Sequence, residues 1–275
     1  MSTRWANVPA LPVQQDALNR VVADALVGGA VVVVAARFLA ALLVNIPDAP
    51  GVAPLGPLTG ALTILAGGAL VAIGLRAEAL STGIGPLFAG VFGLLAVVAP
   101  AVVVPATVAI GGGVAVSVWL SREAMDGVRS IALALLAAGL AGSLASGVAG
   151  LAWARPLTST LSLVALGTLP AFVTTDRWSL VRAAIAFLAV VAFGLTLPFV
   201  TGAVTLVGTG AVGTPLAVIA LAVAGVVTAG SAAIRTEQWP LVAAIALLGF
   251  AGVPAALPRA VPFALGVVML VEVGR

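Results

Sequence analysis

Long stretches without any charged residue constrain the fold of this chain more than any other feature. Residues 79–121 and 183–234 contain no Asp, Glu, Lys or Arg over 43 and 52 positions. A helix needs roughly 20 apolar residues to cross the hydrocarbon layer of a bilayer, so each stretch is long enough for two crossings. Over the whole chain only 8% of the residues are charged, whereas a soluble domain has about 25%. The sequence therefore predicts an all-α, polytopic transmembrane helix bundle in contact with the lipid bilayer.

Charges, prolines and glycines divide the chain into about ten apolar segments, nine of them long enough for a full crossing. We expect helices at about residues 22–46, 58–75, 79–121 (two helices meeting at Pro100), 130–153, 157–175, 183–234 (two helices), 239–257 and 260–271. The last segment has only 12 residues, which favours a tilted or half-crossing helix. Residues 1–20 are expected to form a polar cytoplasmic segment, and residues 21–275 a single transmembrane domain.

The placement of the arginines predicts the orientation of the bundle. Cytoplasmic loops of membrane proteins carry an excess of Lys and Arg. With a cytoplasmic N-terminus and ten crossings, Arg155 and Arg259 lie outside and Arg37 lies within a helix. The other nine lie in the cytoplasm: Arg4, Arg20, Arg76, Arg122, Arg129, Arg177, Arg182, Arg235 and Arg275. The opposite topology would invert this bias, so we expect a multi-pass protein of the plasma membrane with its N-terminus inside.

Similar segments recur in the sequence. WSLVRAAIAFL begins at Trp178 and WPLVAAIALL at Trp239, and each follows a Pro-Leu pair, at Pro156 and Pro215, by about one helix. PLTSTLSL from Pro156 also resembles PLTGALTI from Pro57. The pattern predicts a duplicated two-helix hairpin near residues 57–100, 156–200 and 215–258. The alternative is chance similarity between helices rich in Ala, Leu and Val.

Missing residue types exclude several classes of function. The chain contains no His, Cys, Tyr or Lys, so ordinary zinc, haem and iron–sulfur sites, disulfides and Schiff-base cofactors are excluded. No nucleophile lies beside a general base, and we therefore expect neither an enzyme nor a bound cofactor or metal. The single, scattered arginines favour helix orientation over binding of nucleic acid.

Arg37 is the most anomalous charge, because it lies near the middle of AVVVVAARFLAALLV. A central Arg costs at least about 2.5–3.5 kcal/mol on insertion scales. Either Arg37 faces an internal cavity and binds an anion, or it extends to the outer interface towards Asp48 or a lipid phosphate.

A short string recurs as TLPAFVT from Thr168 and TLPFVT from Thr196. Pro170 and Pro198 each free the backbone carbonyl four residues earlier. We expect both Thr–Pro pairs near the bilayer midplane, where interrupted helices bind substrates in many carriers. Ordinary kinked packing is the alternative.

Small residues recur at four-residue spacing on the fifth predicted helix. Two rows consist of Gly139, Ser143 and Gly147, and of Gly142, Ser146 and Gly150. Such rows allow close approach of another helix, either within the bundle or in a homo-oligomer or larger membrane complex.

Two functions remain open at this stage. Arg37 and the Thr–Pro pairs favour a small carrier or channel for a polar or anionic solute. The absence of acids at the midplane, the short loops and the small-residue rows favour a non-catalytic membrane scaffold or accessory subunit. A carrier requires a hollow lined by polar groups, whereas a scaffold has a filled, dry centre.

Overall fold

The computed structural model describes residues 12–43 and 55–274, which form a bundle of eleven α-helices without a β-strand in these residues. The helices are α1 (Pro12–Leu43), α2 (Leu55–Arg76), α3 (Leu80–Val98), α4 (Val103–Ser121), α5 (Gly127–Val148), α6 (Arg155–Gly167), α7 (Arg177–Thr196), α8 (Pro198–Val204), α9 (Leu216–Arg235), α10 (Trp239–Ala251) and α11 (Leu257–Gly274). Eight of them are long and apolar enough to cross a membrane. The predicted polytopic helix bundle is confirmed.

Single turns of tighter or wider helix connect some of these elements. They are the 3₁₀ turns Pro100–Val102, Arg122–Ala124, Ala152–Ala154 and Leu169–Phe172, and the π turn Thr205–Thr209. The first helix begins at Pro12, eight residues before the Arg20 boundary expected from the sequence. Residues 1–11, 44–54 and 275 lie outside the described part of the chain, and so do Arg4 and Arg275.

The prediction for the last helix was wrong. α11 has 18 residues and is the most buried of the eight candidate spans, since 67% of its residues are buried inside the bundle. The two short helices are instead α6 and α10, with 13 residues each. Charges marked the expected ends of the last segment, but Arg259 and Glu272 both lie within α11. A protein interior can supply polar partners for such groups, so a charge does not always mark a helix end.

The central position of α11 organises the first half of the bundle. It packs against α2, α3, α4, α5 and α10. The end of α11 lies at the α4–α5 connection, because Gly274 contacts Met125. Since α1 to α4 alternate in direction, this connection lies on the same side of the bundle as the start of α1. We call this side of the membrane the N side and the other the opposite side. In the second half of the bundle, α6, α7 and α10 pack around α9.

Charged residues are distributed very unequally between the two sides. Short connections make consecutive long helices antiparallel, which places Arg155 and Arg259 on the opposite side. Every acidic side chain that the structure describes lies on the N side: Asp24, Glu78, Glu123, Asp126, Asp176, Glu237 and Glu272. The opposite side therefore has positive charge without a described counter-charge.

Tryptophans mark both ends of the bundle. Trp119, Trp178 and Trp239 lie exposed at helix ends on the N side, and Trp153 lies exposed on the opposite side. The guanidinium carbon of Arg122 lies 3.4 Å from the ring centroid of Trp119. Amphipathic tryptophan rings favour the level of the lipid headgroups, so these positions are consistent with helices that end at the two membrane surfaces.

Glycines allow the backbones of neighbouring helices to touch. A Cβ atom at Gly90 of α3 would lie 2.6 Å from the carbonyl oxygen of Gly67 and 2.7 Å from the backbone nitrogen of Val71, both in α2. Gly85 of α3 approaches Gly113 of α4 equally closely. Lipid is as apolar as leucine, so helix association in a membrane depends on such close packing rather than on the hydrophobic effect.

The two short helices end at the same depth in the bundle. A Cβ atom at Gly225, in the middle of α9, would lie 2.6 Å from the Cα of Gly167 at the end of α6. A Cβ atom at Gly249, near the end of α10, would lie 3.0 Å from Cγ1 of Val226. α6 begins on the opposite side and α10 begins on the N side. These contacts show that both helices end near the level of the middle of α9.

The hairpin duplication stays a prediction from the sequence. In that alignment α6 corresponds to α9, and α7 corresponds to α10. The structure gives α6 13 residues and α9 20, and it gives α7 20 residues and α10 13. Proline and glycine near the ends of α6 and α10 shorten different members of the two pairs, so the two hairpins differ in shape.

Asp176 connects α7 to α9 on the N side. Its carboxylate caps α7 by accepting a hydrogen bond from the backbone nitrogen of Ser179 at 3.0 Å, and the hydroxyl of Ser179 accepts one from the backbone nitrogen of Asp176 at 3.1 Å. The guanidinium of Arg235, at the end of α9, also donates to this carboxylate. These bonds, the Arg235 bond above all, hold the pKa of Asp176 below its usual range.

We expect Gly90→Ala to destabilise the bundle by about 1–3 kcal/mol, because the added methyl group overlaps the backbone of α2. Thermal unfolding of the purified protein in detergent measures the effect. Gly28→Ala is the matched control, since nothing lies within 4 Å of a Cβ at that helical position. Equal melting temperatures for the two variants would contradict the packing described here.

The depressed pKa of Asp176 predicts an acid-sensitive stability. The ion pair contributes fully above the unfolded-state pKa of about 3.9, and its contribution is lost as the pH falls towards the lower folded-state value. We expect the melting temperature of the wild type to decrease below about pH 4 more steeply than that of Asp176→Asn. Glu123→Gln, which changes an exposed acid, should keep the wild-type profile.

Candidate functional site

Arg37 lies in α1, about 9 Å along the helix from its end on the opposite side. Its Nε donates a hydrogen bond to the hydroxyl of Thr59 in α2, at 3.2 Å. Asp48, one partner expected from the sequence, lies outside the described residues. Arg37 is thus half-buried and bound to a hydroxyl group of α2.

The structure does not bring Thr168 and Thr196 together. Gly167, next to Thr168, contacts the middle of α9, whereas Gly194, near Thr196, contacts Leu216 at the start of α9. These points differ by nine residues, or about 13 Å along the helix. The expectation that both Thr–Pro pairs lie at the midplane is therefore wrong for Thr196. α7 is a complete span that ends at this residue, so its proline interrupts the chain near the membrane surface.

Both threonine hydroxyls are used locally. Thr168 donates to the carbonyl of Ala165 at 2.7 Å, and Thr196 donates to that of Ala192 at 2.8 Å. Pro170 lies within the 3₁₀ turn that follows α6, and Pro198 begins α8. The Thr–Pro pairs thus end helices and form no shared binding site.

The small residues of α5 face other parts of the same chain. A Cβ atom at Gly139 would lie 3.0 Å from the Cα of Ser162, and one at Gly142 would lie 3.2 Å from Cγ2 of Thr158. Hydroxyl pairs join the same helices, Ser143 with Ser162 at 2.9 Å and Ser146 with Thr158 at 3.0 Å. This face of α5 is therefore covered by α6 and is not free for an oligomer partner.

The last glycines of the two rows have different roles. Gly147 lets the carbonyl of Ala255, in the α10–α11 connection, approach the backbone of α5. Gly150 follows α5 with a φ of 67°, and nothing lies within 4 Å of the position of a Cβ there. Gly150 thus ends the helix in the left-handed conformation that glycine favours and takes no part in helix packing.

A half-open pocket of about 410 Å³ lies at this end of the bundle, on the opposite side. Its polar lining residues are Arg155, Arg259, Ser146, Thr158 and Ser159, and the rest of its wall is apolar. We call it the arginine pocket. No acidic residue lines it in the described part of the chain. Two positive charges and several hydroxyl groups thus line one pocket.

The first turn of α6 forms one wall of the arginine pocket. No side chain caps this turn, but its backbone has few free donors, because the N–H of Arg155 bonds to the carbonyl of Ala152 and Pro156 has no N–H. The positive end of the helix dipole lies there, which favours an anion. Arg155, the first residue of α6, adds its charge at the same place, and neither Arg155 nor Arg259 forms a salt bridge with a described residue.

Hydroxyl groups form part of the wall of the arginine pocket. Ser146 donates to the carbonyl of Ser143 at 3.0 Å, and Thr158 lies 3.2 Å from the carbonyl of Arg155. Ser159 also lines the pocket and is only 3% exposed. Among the buried polar side-chain atoms that the structure describes, only Oγ1 of Thr214 lacks a hydrogen-bond partner.

Arg259 closes the inner side of the arginine pocket. Its Nη2 donates to the carbonyl oxygen of Val207 in the π turn at 2.8 Å. Gly210 lies so close that a Cβ there would overlap the guanidinium. This contact holds the segment between α8 and α9 against the start of α11.

An apolar cavity of about 190 Å³ lies on the other side of that segment. Side chains of α1, α6, α9 and α10 form its walls, including Phe38, Leu166, Val226 and Ile245. Backbone at Thr209 and Gly252 closes it towards the opposite side. We call it the apolar cavity. Neither Arg37 nor the two Thr–Pro pairs line this cavity or the arginine pocket.

Sequence reasoning missed Arg155, Ser159 and Arg259 as site residues. Arg155 and Arg259 were interpreted only as orientation signals on the sparsely charged side. The sequence does contain a signal for Arg155, which precedes Pro156 at a predicted helix start and is followed by hydroxyl residues. Sequence could not show that α11 returns Arg259 to the same place.

The helix bundle as a whole matches a family model. Residues 24–271, from the first part of α1 to the last turn of α11, match an integral membrane family of unknown function (DUF8068). No curated protein and no solved structure matches the chain. The comparison therefore supports the membrane location, and an inference about function has to come from the pocket.

Proposed function

This chain belongs to the integral membrane family of unknown function that matches its bundle, and we propose that it carries an anionic solute across the membrane. The arginine pocket supports this proposal best. It combines the guanidinium groups of Arg155 and Arg259 with the hydroxyl groups of Ser146, Thr158 and Ser159, and no described acid lines it. Such a set of donors suits a carboxylate, phosphate or sulfonate group.

Electrostatics at this place favour an anion over a neutral solute. The described acids all lie on the N side, so none of them cancels the field of the two arginines. Charges at a partly enclosed, low-dielectric site interact more strongly than charges in water. Arginine also forms two parallel hydrogen bonds to a carboxylate or phosphate, which selects for planar or tetrahedral oxyanions.

We further propose that the N side is cytoplasmic and that the membrane is the plasma membrane. Among the described arginines seven lie on the N side, namely Arg20, Arg76, Arg122, Arg129, Arg177, Arg182 and Arg235. Only Arg155 and Arg259 lie near the other surface, as expected for the side away from the cytoplasm. The arginine pocket would then receive its solute from outside the cell. Transport of this kind requires no covalent chemistry, in keeping with a non-enzymatic role.

One observation favours the second candidate, a scaffold or accessory subunit. α7 spans the membrane but packs mainly against α9, and Ser179 is its only buried residue. Its outer face is available either to lipid or to a membrane partner. We rank this candidate below the carrier because lipid alone suffices to cover an apolar helix, whereas it does not account for two arginines without a described counter-ion in one pocket.

We expect Arg155→Gln and Arg259→Gln each to reduce anion uptake at least tenfold, because each removes a charge that binds the solute. Uptake of labelled inorganic phosphate, acetate, methanesulfonate and hexanesulfonate into proteoliposomes measures the effect. Arg182→Gln is the control, since it removes an exposed N-side arginine without a described partner. If the wild type transports none of these probes, or if the control loses as much activity, the carrier proposal fails.

Labelling of single cysteines tests the orientation, because the chain has no native cysteine. We expect a membrane-impermeant maleimide to label Ala152→Cys in intact cells and to label Glu123→Cys only after permeabilisation. The reverse pattern would place the N side outside. The cysteine-free parent protein gives the background.

A further inference from the structure

The apolar cavity and the arginine pocket share a wall one backbone thick. Thr209 and Gly252 line the cavity, whereas the next residues, Gly210 and Val253, line the pocket. A hydrogen bond of 2.8 Å from the backbone nitrogen of Val253 to the carbonyl of Thr209 joins the two halves of the wall. A ligand in the pocket is therefore one peptide layer away from a second enclosed space.

The apolar cavity lies within the hydrocarbon layer. It is built where α6 and α10 stop, near the level of Val226 in the middle of α9. Small residues keep it open, among them Ala222, Ala246 and Gly249. A space left by two interrupted helices is therefore bounded almost entirely by hydrocarbon.

Such a cavity is unsuitable for a bare inorganic anion. Transfer of an unpaired charge into an apolar interior costs many kcal/mol, and no charged side chain lines this space. Burial of a hydrocarbon group there is favourable. A cavity of roughly 150 Å³ lined by apolar side chains holds a benzene ring, so this one suits a group of roughly six to eight carbon atoms.

The wall is held by the same arginine that would bind the anion. Arg259 donates to Val207 at 2.8 Å on the wall segment. The guanidinium has five N–H donors, so it can bind an anionic group in the arginine pocket while it keeps this bond. Gly252, with a φ of 65°, gives the other half of the wall a turn that few other residues adopt. A hydrocarbon tail that extends from the pocket into the cavity has to separate the backbone of Val253 from that of Thr209, which one hydrogen bond of 2.8 Å joins.

We propose that the ligand is an amphiphilic organic anion, whose charged head occupies the arginine pocket and whose short hydrocarbon part occupies the apolar cavity. This inference rests on the proposed function and specifies its substrate class. It accounts for two adjacent spaces of opposite character, which an inorganic anion would not use together. A larger lipid with two long chains exceeds the volume of the cavity.

A series of n-alkyl sulfonates from methanesulfonate to decanesulfonate tests the inference, because each stays charged while its tail grows. Binding to the protein in lipid nanodiscs is measured by titration calorimetry, with empty nanodiscs as the baseline. Each buried CH₂ contributes about 0.8 kcal/mol, or roughly a fourfold gain in affinity. We expect affinity to rise with chain length up to roughly six to eight carbons and then to level off.

Variants that fill the cavity separate this effect from partition into lipid. Ala246→Leu should remove the dependence on chain length and keep methanesulfonate binding, and the milder Ala222→Val should reduce it. Ala184→Leu, on the exposed face of α7, should behave as the wild type. Thermal unfolding checks that each variant is folded.

The possible results distinguish the two proposals. If methanesulfonate binding depends on Arg155 but chain length has no effect, or if Ala246→Leu and Ala222→Val both keep the wild-type dependence, the amphiphile inference is overturned and the anion site stands. If neither the sulfonates nor inorganic phosphate bind in an Arg155-dependent manner, the proposed function fails as well.

Discussion

Contact between helix backbones at glycine is the interaction on which the rest of this structure depends. Within lipid, leucine and valine gain nothing by leaving the solvent, so helices associate through close packing and hydrogen bonds. Gly90 against α2, Gly85 against α4 and Gly225 against α6 provide this packing at successive interfaces. Gly147 and Gly210 do the same at the arginine pocket, where they admit the backbone of Ala255 and the guanidinium of Arg259. Close packing at glycine therefore stabilises both the helix bundle and the walls of the arginine pocket.

The unequal distribution of charge follows from the cost of placing ions in hydrocarbon. On the N side, acids and arginines neutralise each other, as Asp176 does with Arg235. Arg155 and Arg259 have no described carboxylate beside them, and Arg259 is solvated by a backbone carbonyl instead. An arginine satisfied only by a neutral group keeps most of its capacity to bind an anion. The carrier proposal depends on this incomplete neutralisation.

The sequence predicted the class of fold well and the site poorly. Stretches without charge identified the spans, because a charge in lipid is costly at any position along the chain. The same reasoning failed at α11, since Arg259 lies inside the helix, where its guanidinium binds a backbone carbonyl, and does not mark the helix end. It also failed for Thr196, whose depth depends on where α7 begins. The small residues of α5 do lie at close contacts, except Gly150, but their partner α6 could not be identified from spacing alone.

The sequence alone determined that lipid surrounds this chain, because a chain with so few charges has to place its helices in lipid. Its apolar stretches also located most of these helices. Which helices meet was decided only by the tertiary structure. α6 and α10 stop halfway and leave a cavity, while α11 returns through the centre and brings Arg259 towards Arg155, 104 positions away in the chain. The physical reason is that hydropathy acts on each residue separately, whereas a binding pocket requires the shapes of several helices to fit at once.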